Sequence, residues 1–548
     1  MSFEQYVQQI DARRLGSGVA LLILLAFYSP VMVLVLSPVY GSLPAHIFHG
    51  YGVAIFAAAG WFLKDQIQKR IGRLAAFGLP VLAFWTPTLQ YFVMQQSSKL
   101  GNPVGPVVTE LLGYYPLVLL TVAVAGKQIQ YALHLESQGD VAVEHVPLLG
   151  SYVIYSIGEH FARAVLSYAI GFTVIFTRAG LQFVIAALYA ALIPSKLLIF
   201  AIPSLLFTVA FDVHFGGISG VNSAIKSEGY TLLERQESYT GYISVLENQN
   251  DGFRVMRCDH SLLGGQWTKA APGYRPEVED PIYAIFAMLE AVRLVEPDHG
   301  SRVDANSKAL VIGLGIGTTP AALIKHGIDT TVVELDPVVH KFATKYFNLP
   351  SKHVAAIEDA TKFVERALKT TPSPQYDYIV HDVFTGGSEP AELFTIEFLK
   401  SLSSLLAEDG VIAINYAGDV KLYPTGLVVR TIHAVFPSCR IFREETPVQD
   451  NENPDFTNMV LFCKKSSNKP IQFRDPVPAD YLRSKSRESY LVPKQELDAS
   501  LFATIPKGGR RYLVAKEIGR LYKYQDRGAM EHWEIMRKVV PSAVWENW

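Results

Sequence analysis

A glycine-rich loop and a downstream acid in the second half of the chain have the residue types and spacing to bind a nucleoside. Gly313-Leu314-Gly315-Ile316-Gly317 follows the apolar run KALVI and precedes a helical pattern. Glycines at that point let the backbone approach a ligand at the carboxyl edge of a sheet. Glu334 ends the next apolar run, 21 positions after Gly313. A carboxylate about 20 residues after such glycines is placed to bind ribose hydroxyl groups.

A further acidic pair bears on the class of nucleotide. The glycine loop and Glu334 alone fit NAD and an adenosyl sulfonium equally well. Glu358-Asp359 follows a third short strand, 24 positions after Glu334. Glycine loop, acidic strand end and acidic pair, in this order, are typical of transferases that use S-adenosylmethionine-type donors. The alternative interpretation is a glycine turn that serves packing only, with acids on the surface.

Asp382 has the position expected of a general base. It follows the strand pattern YIVH, which places it at the carboxyl edge, where ligands of open parallel sheets bind. A partly desolvated carboxylate there can take a proton from an amine, which is protonated at neutral pH. Because a sulfonium donor brings its own leaving group, the sequence predicts no metal.

Alternating strands and helices must position these residues. From Lys308 onward strand and helix patterns alternate with short loops, which predicts a parallel, doubly wound, Rossmann-like sheet over 306–465. Residues 216–305 predict a small β-hairpin subdomain and a connecting helix over 280–295, because SYTGYISVLEN and GFRVMRCD both alternate. Residues 466–548 are charged and interrupted by prolines, and they predict a partly helical tail with a helix over 512–540.

The first 215 residues predict a helical membrane domain. No Asp, Glu, Lys or Arg occurs from Leu15 to Leu63, and a bilayer core takes ~20 residues, so this run fits two spans. Further apolar runs extend to Phe211, giving an estimate of six to eight spans. Glu159 and Arg163 interrupt one run, four residues apart. They predict either a self-neutralising polar site in the bundle or a helix end at the interface.

Composition excludes several classes of protein. Charged residues make up 18% and the hydrophobic set 49%, whereas soluble proteins average nearer ~25% charged. A net charge of −2 gives no basic footprint for nucleic acid. The three cysteines have no C-x-x-C spacing, which argues against a disulfide framework and a cysteine zinc site; they are Cys258, Cys439 and Cys463.

The stretch from Glu237 to Cys463, 227 of the 548 residues, resembles the spermidine/spermine synthase (polyamine aminopropyltransferase) family. ESYTGYISVLEN resembles the opening strands of that family, and CDHSLLGGQW resembles its strand-to-glutamine stretch. VVELDPVV resembles the motif of the second strand. YDYIVHDVFTGGSEPAELFT resembles the catalytic strand and loop.

The resemblance implies a methyltransferase-type Rossmann-like sheet and a role for each motif residue. Asp382 would be the general base, Glu334 would bind the ribose, and Asp359 would lie near the adenine. Gln266 and Tyr283 would line the pocket. Cationic polyamines favour acidic walls, for which the candidates are Glu277, Glu279, Asp280, Glu389 and Glu392, although each could belong to a solvated acidic face.

Three positions depart from the family pattern. Ile316 stands where the glycine loop usually carries an acid that meets the amino group of the aminopropyl donor. Thr385 replaces a second Asp of the catalytic loop, and Ala284 replaces a polar residue after the substrate-site tyrosine. The lost acids weaken selectivity for decarboxylated S-adenosylmethionine, and Ile316 removes repulsion of a methionine carboxylate.

Three functions follow as hypotheses. The first is a membrane-anchored aminopropyltransferase that transfers from decarboxylated S-adenosylmethionine to a small-molecule amine or polyamine. The second is an S-adenosylmethionine-dependent methyltransferase, and the third a non-catalytic ligand-binding or transporter-like membrane protein. In the first two, the multi-pass chain contacts a lipid bilayer and its catalytic half faces the cytosol, where donor and polyamines are expected. A homodimer is compatible with either.

Overall fold

The chain folds into a helical unit and an α/β unit. The computed structural model describes residues 11–135, 141–173, 175–383, 390–444, 446, 455–465 and 469–548. The helical unit contains the chain up to Glu228, together with Gln236–Tyr242 and Arg537–Trp548. The α/β unit contains Gly229–Arg235 and Ile243–Met536.

Long apolar helices form the helical unit. Gly41 separates the first two and has a positive φ of 86°, a conformation that glycine adopts without steric cost. The helices in chain order are α1 Ala12–Tyr40, α2 Ser42–Ile71, α3 Arg73–Met94, α4 Ser97–Leu100, α5 Val104–Gly113, α6 Tyr115–Ala132, α7 Val141–Ala169, α8 Arg178–Leu192, α9 Ile202–Ala210 and α10 Ile218–Ile225.

Only part of the predicted membrane domain meets the length and composition of a span. Among the described residues α1 and α2 are long and apolar enough, and α5 with α6 would make a third if that bent pair is one span. Since α8 has 15 residues and α9 has 9, both are shorter than the ~20 residues of a bilayer core. The estimate of six to eight spans is therefore not confirmed and stays a prediction.

Glu159 and Arg163 pair within α7, as one of the two interpretations predicts. An Arg163 guanidinium nitrogen lies 2.8 Å from Glu159 Oε1. Ser29 donates a second hydrogen bond to the same oxygen, also at 2.8 Å. The two charges neutralise each other in a partly exposed position, since 40% of the Arg163 side chain and 23% of the Glu159 side chain are exposed.

A four-stranded antiparallel sheet precedes the main sheet and confirms the predicted hairpin. Its strands, in the order β1-β2-β3-β4, are β1 Tyr230–Glu237, β2 Tyr242–Asn248, β3 Phe253–Cys258 and β4 Ser261–Trp267. The connecting helix is shorter than predicted, because Pro281 is still extended and bridges to Gln266 of β4. Helix α11 covers Ala284–Leu289, followed by a 3-10 turn over Glu290–Leu294.

The main sheet is mixed rather than wholly parallel. Its order is β12-β10-β11-β9-β8-β5-β6-β7, and the run from β9 to β7 is parallel. Beyond β9 the pairing is antiparallel, because β11 inserts between β9 and β10. The strands are β5 Lys308–Ile312, β6 Asp329–Glu334, β7 Val354–Ile357, β8 Tyr376–His381, β9 Leu406–Asp419, β10 Ser438–Arg443, β11 Phe456–Lys464 and β12 Gln495–Leu497.

Helices cover both faces of this sheet and complete a Rossmann-like, methyltransferase-type fold. Two buried clusters flank it, one containing Phe342 of α13 and the other Leu399 of α15. The helices of the α/β unit are α12 Thr318–Lys325, α13 Pro337–Tyr346, α14 Ala360–Lys369, α15 Ile396–Leu405, α16 Tyr423–Val435, α17 Lys485–Tyr490 and most of α18 Gly519–Val539. A last helix, α19 Ser542–Glu546, belongs to the helical unit.

Cys439 and Cys463 form a disulfide, which corrects the expectation that the cysteines exclude one. The two residues are direct partners across the antiparallel pair β10 and β11, with their Cα atoms 4.1 Å apart. Because the two cysteines are 24 positions apart in the chain, their spacing in the sequence did not indicate that they are neighbours in the sheet. Cys258 is not part of this disulfide.

Most of the predicted C-terminal tail is part of the α/β unit, which extends to Met536, whereas Arg537–Trp548 belongs to the helical unit. Strand β12 pairs with β10 at the sheet edge. Arg487 of α17 is fully buried and binds both carboxylate oxygens of Glu290, each at 2.8 Å. Helix α18 confirms the predicted C-terminal helix from Gly519 onward.

Candidate active site

The main sheet brings three of the predicted site residues to one edge. Gly313 donates its N–H to the Val333 carbonyl at 2.9 Å, and Asp382 donates its N–H to the Ile312 carbonyl at 2.8 Å. The end of β5 therefore lies between Glu334, which ends β6, and Asp382, which follows β8. This is the carboxyl edge of the parallel strands, where open sheets bind their ligands.

The glycine loop runs close to the backbone of its neighbours. Gly313 has a φ of +85°, and a Cβ there would lie 2.0 Å from the Asp382 carbonyl oxygen. Gly315 has a φ of +53°, and a Cβ there would lie 2.5 Å from the Leu263 carbonyl oxygen of β4. Only glycine fits at these positions. Gly317 is left-handed as well and caps α12; packing thus explains part of the loop's composition.

Ile316 is buried in this loop, with 3% of its surface exposed. Its side chain packs against Gly264 of β4, where a Cβ would lie 3.1 Å from Ile316 Cγ1. The position therefore offers an apolar contact to β4 and no charge to a ligand.

Glu334 is a buried carboxylate held by the backbone. One oxygen accepts the Leu314 N–H at 2.9 Å, and the other accepts the Asp336 N–H at 2.8 Å. Burial raises the pKa of Glu334 to about 7, although these backbone bonds oppose the rise. The acid is thus fixed against the glycine loop and titrates near neutrality.

Two exposed apolar side chains stand beside Glu334. Leu335 is 46% exposed and Ile357, the last residue of β7, is 40% exposed. Ile357 pairs directly with Glu334 in the sheet. Apolar surface at a strand end next to a buried acid suits an aromatic base attached to a ribose.

Asp359 caps helix α14. Its Oδ1 accepts the Thr361 N–H at 2.7 Å and the Thr361 hydroxyl at 2.6 Å. It follows the strand next to Glu334, on the side where an adenine would lie, but part of its hydrogen-bonding capacity serves the helix.

Asp382 accepts a side-chain hydrogen bond from Asn415 of β9. Asn415 Nδ2 lies 2.8 Å from Asp382 Oδ1. Burial among protein atoms raises the pKa of Asp382 from 3.8 to about 6, and the bond from Asn415 opposes that rise. The residue as a whole is nevertheless only partly buried, and a proton acceptor must be reachable by its substrate.

Tyr283 lines a cavity of about 890 Å³ in the α/β unit. Among the described residues its buried hydroxyl has no hydrogen-bond partner, and burial raises its pKa well above the usual value. Gln266 is buried in β4, opposite Arg254.

The predicted acidic wall is mostly engaged by the protein itself. Asp280 lines the same cavity but is buried and accepts the Ser484 hydroxyl and the Ser486 N–H. Burial and the neighbouring Asp280 raise the pKa of Glu279. Glu277 pairs with Lys325 at 3.1 Å and Glu392 accepts the Tyr522 hydroxyl at 2.7 Å. Glu389 and Thr385 lie outside the described residues.

Sequence reasoning missed Asn415 and Glu444. Asn415 follows the apolar run VIAI and lies inside β9; a polar residue directly after an apolar run is the same signal that identified Glu334 and Asp382. Glu444 follows β10, lines the cavity, and accepts the Ile285 N–H at 3.0 Å and the Asn458 amide at 2.9 Å. An antiparallel strand end carries no comparable signal.

A relative from Emericella nidulans, an N-terminal histidine N-methyltransferase, aligns with the whole chain. It is 59% identical over 557 residues, which cover 100% of this chain and 100% of the relative. The chain belongs to the N-terminal histidine N-methyltransferase family. It is therefore a transferase, and a non-catalytic ligand-binding protein is the wrong interpretation.

The N-terminal histidine N-methyltransferase family shares one domain with the polyamine enzymes. Residues 298–447 match the spermine/spermidine synthase domain. A polyamine aminopropyltransferase from Vibrio vulnificus is 30% identical over 198 residues, 35% of this chain and 62% of that enzyme. A probable spermidine synthase structure from Corynebacterium glutamicum covers 50% of this chain and 91% of its own, at 15% identity and a TM-score of 0.37.

Membership in the N-terminal histidine N-methyltransferase family corrects the prediction of aminopropyl transfer. The resemblance to spermidine synthases is confirmed for the C-terminal part, but it is a resemblance of domain and not of reaction. Full S-adenosylmethionine fits a methyltransferase, whereas nothing supports the decarboxylated form. The apolar Ile316, in place of an acid, agrees with this correction.

Proposed function

We propose that this chain transfers the methyl group of S-adenosylmethionine to a nitrogen of an N-terminal histidine. The observation that carries the proposal is the 59% identity, over both whole chains, to the N-terminal histidine N-methyltransferase of Emericella nidulans. The family name leaves open whether the α-amino group or a ring nitrogen receives the methyl group, and the site has a proton acceptor for either.

The residues at the carboxyl edge fit the adenosyl part of such a donor. Glu334 would accept the ribose hydroxyls, since its oxygens keep lone pairs beyond those used by the backbone. Leu335 and Ile357 would cover the adenine, with Asp359 beside it. Gly313 and Gly315 would let the backbone come close to the donor. Gln266 would line the donor site from β4.

Asp382 would accept the proton that the transfer releases. The donor supplies an electrophilic methyl group on a sulfonium: a nitrogen–carbon bond forms, the sulfur–carbon bond breaks, and S-adenosylhomocysteine leaves. The methylated nitrogen system then carries one excess proton. A carboxylate whose pKa is about 6 is ionised at neutral pH and is close enough to the ordinary histidine pKa of ~6.5 to receive it.

The decisive experiment uses the full-length protein in detergent with synthetic peptides. An N-terminal histidine peptide should gain one methyl group on its first residue when S-adenosylmethionine is present, as tandem mass spectrometry would locate. A matched peptide with the histidine moved to the second position should stay unmodified. Methylation of the shifted peptide alone, or of neither peptide, would overturn the proposal.

Localisation remains a proposal, and one observation favours a compartment other than the predicted cytosol. The Cys439–Cys463 disulfide lies within the α/β unit, and structural disulfides persist mainly in oxidising compartments such as the secretory pathway. Alkylation of thiols before cell lysis tests this. Protection of both cysteines supports a lumenal catalytic unit, and modification of both supports the cytosol.

Two further predictions about partners stay predictions: that the chain contacts a bilayer through several spans, and that it forms a homodimer.

A further inference from the structure

The cavity beside Tyr283 is larger than a single histidine requires. Its volume is about 890 Å³, near the upper end of the ~300–1,000 Å³ of typical small-ligand pockets. Residues of β4, of the segment before α11, of the end of β10 and of α17 line it. Asp382 and the glycine loop are not among its lining residues, so the cavity does not contain the proposed reaction site.

The cavity lies at the same edge of the main sheet as Asp382. The distance between them corresponds to a few residues of an extended peptide. Asp382 follows β8, and Glu444 follows β10 at the same edge. From β8 to β10 there are three strand spacings of ~4.8 Å, or about 14 Å. An extended polypeptide covers this distance in about four residues.

The inner wall of the cavity can receive a peptide backbone. The buried Tyr283 hydroxyl has no partner among the described residues, so a peptide carbonyl or N–H that reached it would form a hydrogen bond that the protein alone does not supply. The carboxylates of Asp280 and Glu444 accept hydrogen bonds from other residues of the protein, and these bonds fix their orientation. Arg443, also in the wall, is neutralised by Asp455 through two bonds of 2.9 and 2.6 Å.

The outer rim is positive and aromatic. Lys269, Lys485 and Lys494 line the cavity and are exposed, and within the described ranges none of them forms an ion pair with a carboxylate. Trp267 is 38% and Tyr490 is 49% exposed at the same rim. Ammonium groups without carboxylates, beside exposed aromatic rings, complement acidic and apolar side chains of a partner.

We propose that this cavity binds the residues that follow the N-terminal histidine and that its lysine rim selects acidic side chains there. The proposal rests on the proposed function, because it takes the substrate to be a polypeptide whose first residue reaches Asp382. Recognition of the following residues would let the enzyme distinguish one polypeptide from others that also begin with histidine.

Peptide length and charge test this on the full-length protein. Three octapeptides begin with histidine and carry two Glu, two Gln or two Lys at positions 3 and 4; a His-Gly amide is the short substrate. We expect KM to be at least tenfold higher for the amide than for the Glu octapeptide. We also expect a several-fold KM preference for Glu over Gln, and for Gln over Lys.

The double variant Lys269→Glu/Lys485→Glu should reverse the charge preference, with a KM for the Glu peptide at least tenfold above wild type. Lys400→Glu, at another exposed lysine, on α15, should leave the preference unchanged. Binding of fluorescent octapeptides with S-adenosylhomocysteine present gives a second readout.

The outcomes separate the two proposals. Equal KM values for the amide and all octapeptides, with methylation intact, would overturn the cavity's role and leave the proposed function standing. Charge-dependent peptide binding that the double variant reverses, without methylation of any peptide, would support the cavity and contradict the proposed function.

Discussion

Asn415 donates a 2.8 Å hydrogen bond to Asp382 at the carboxyl edge of the sheet. This bond crosses from β9 to the residue after β8 and fixes the orientation of the carboxylate proposed as the proton acceptor. Because hydrogen bonding favours the ionised carboxylate, it also limits the rise in pKa that burial causes. Asn415 is therefore proposed as a positioning residue.

Asp382→Asn should lower turnover by on the order of 10²–10⁴, the usual contribution of general-base catalysis. The amide keeps the shape of the carboxyl but cannot accept the proton. Calorimetry should find S-adenosylhomocysteine binding nearly unchanged, since Glu334 and the glycine loop remain. Full activity in the variant would remove Asp382 from the mechanism, and a loss of donor binding would assign it a structural role instead.

The same substitution should stabilise the fold at alkaline pH. The folded-state pKa of Asp382 is raised from 3.8 to about 6, so the protonated form favours folding. That contribution is fully present below pH 3.8 and is lost as pH rises through about 6. Asp382→Asn should therefore gain about 2 kcal/mol at pH 8, after allowance for the partial exposure of the residue, and little at pH 4. Thermal melts of both proteins at the two pH values measure the difference, and equal melting temperatures at pH 8 would contradict it.

Asn415→Leu should move the acid limb of the pH–rate profile to higher pH. Without the amide donor, the pKa of Asp382 should rise above about 6, so that less of it is ionised at neutral pH. The limb of kcat/KM against pH, measured with one peptide for both proteins, reports the change. Asn415→Gln keeps an amide and should recover part of the shift. A lower rate with an unmoved limb would mean that Asn415 acts on packing alone.

Glu334→Gln should weaken S-adenosylhomocysteine binding tenfold to a hundredfold, since a charge-assisted hydrogen bond is worth ~1.5–3 kcal/mol. The pKa of Glu334 is about 7, so wild-type affinity should fall as pH drops through 7 and the carboxylate becomes protonated. The variant should lose this pH dependence. Asp336→Asn, two residues away at the start of α13, should retain a pH dependence, with a lower midpoint because the Asp336 charge contributes to the raised pKa of Glu334. An unchanged affinity in Glu334→Gln would place the ribose elsewhere.

The order of motifs along the chain predicted the parallel half of the site. Gly313 and Asp382 each follow an apolar strand and Glu334 ends one, and parallel strands bring their ends to one edge. The antiparallel half was not predictable in this way. Cys439 and Cys463 become neighbours, and Glu444 reaches the cavity, only because β11 inserts between β9 and β10.

The environment of residues whose partners are distant along the chain was also predicted wrongly. The sequence predicted that Asp280 belongs to an acidic wall of the substrate pocket. In the structure Asp280 accepts hydrogen bonds from Ser484 and Ser486, which are more than 200 positions away in the chain. Arg487 belongs to the segment that was predicted to be a charged tail, but its side chain is buried and pairs with Glu290. Such pairings depend on tertiary contacts that local patterns do not encode.

A donor competition tests the central claim most directly. The full-length protein is incubated with an N-terminal histidine peptide and equal concentrations of S-adenosylmethionine and its decarboxylated form, and the product is identified by mass spectrometry. The account predicts a peptide that carries one methyl group on its N-terminal histidine and no aminopropyl adduct. An aminopropyl adduct, or an unmodified peptide with either donor, would contradict it.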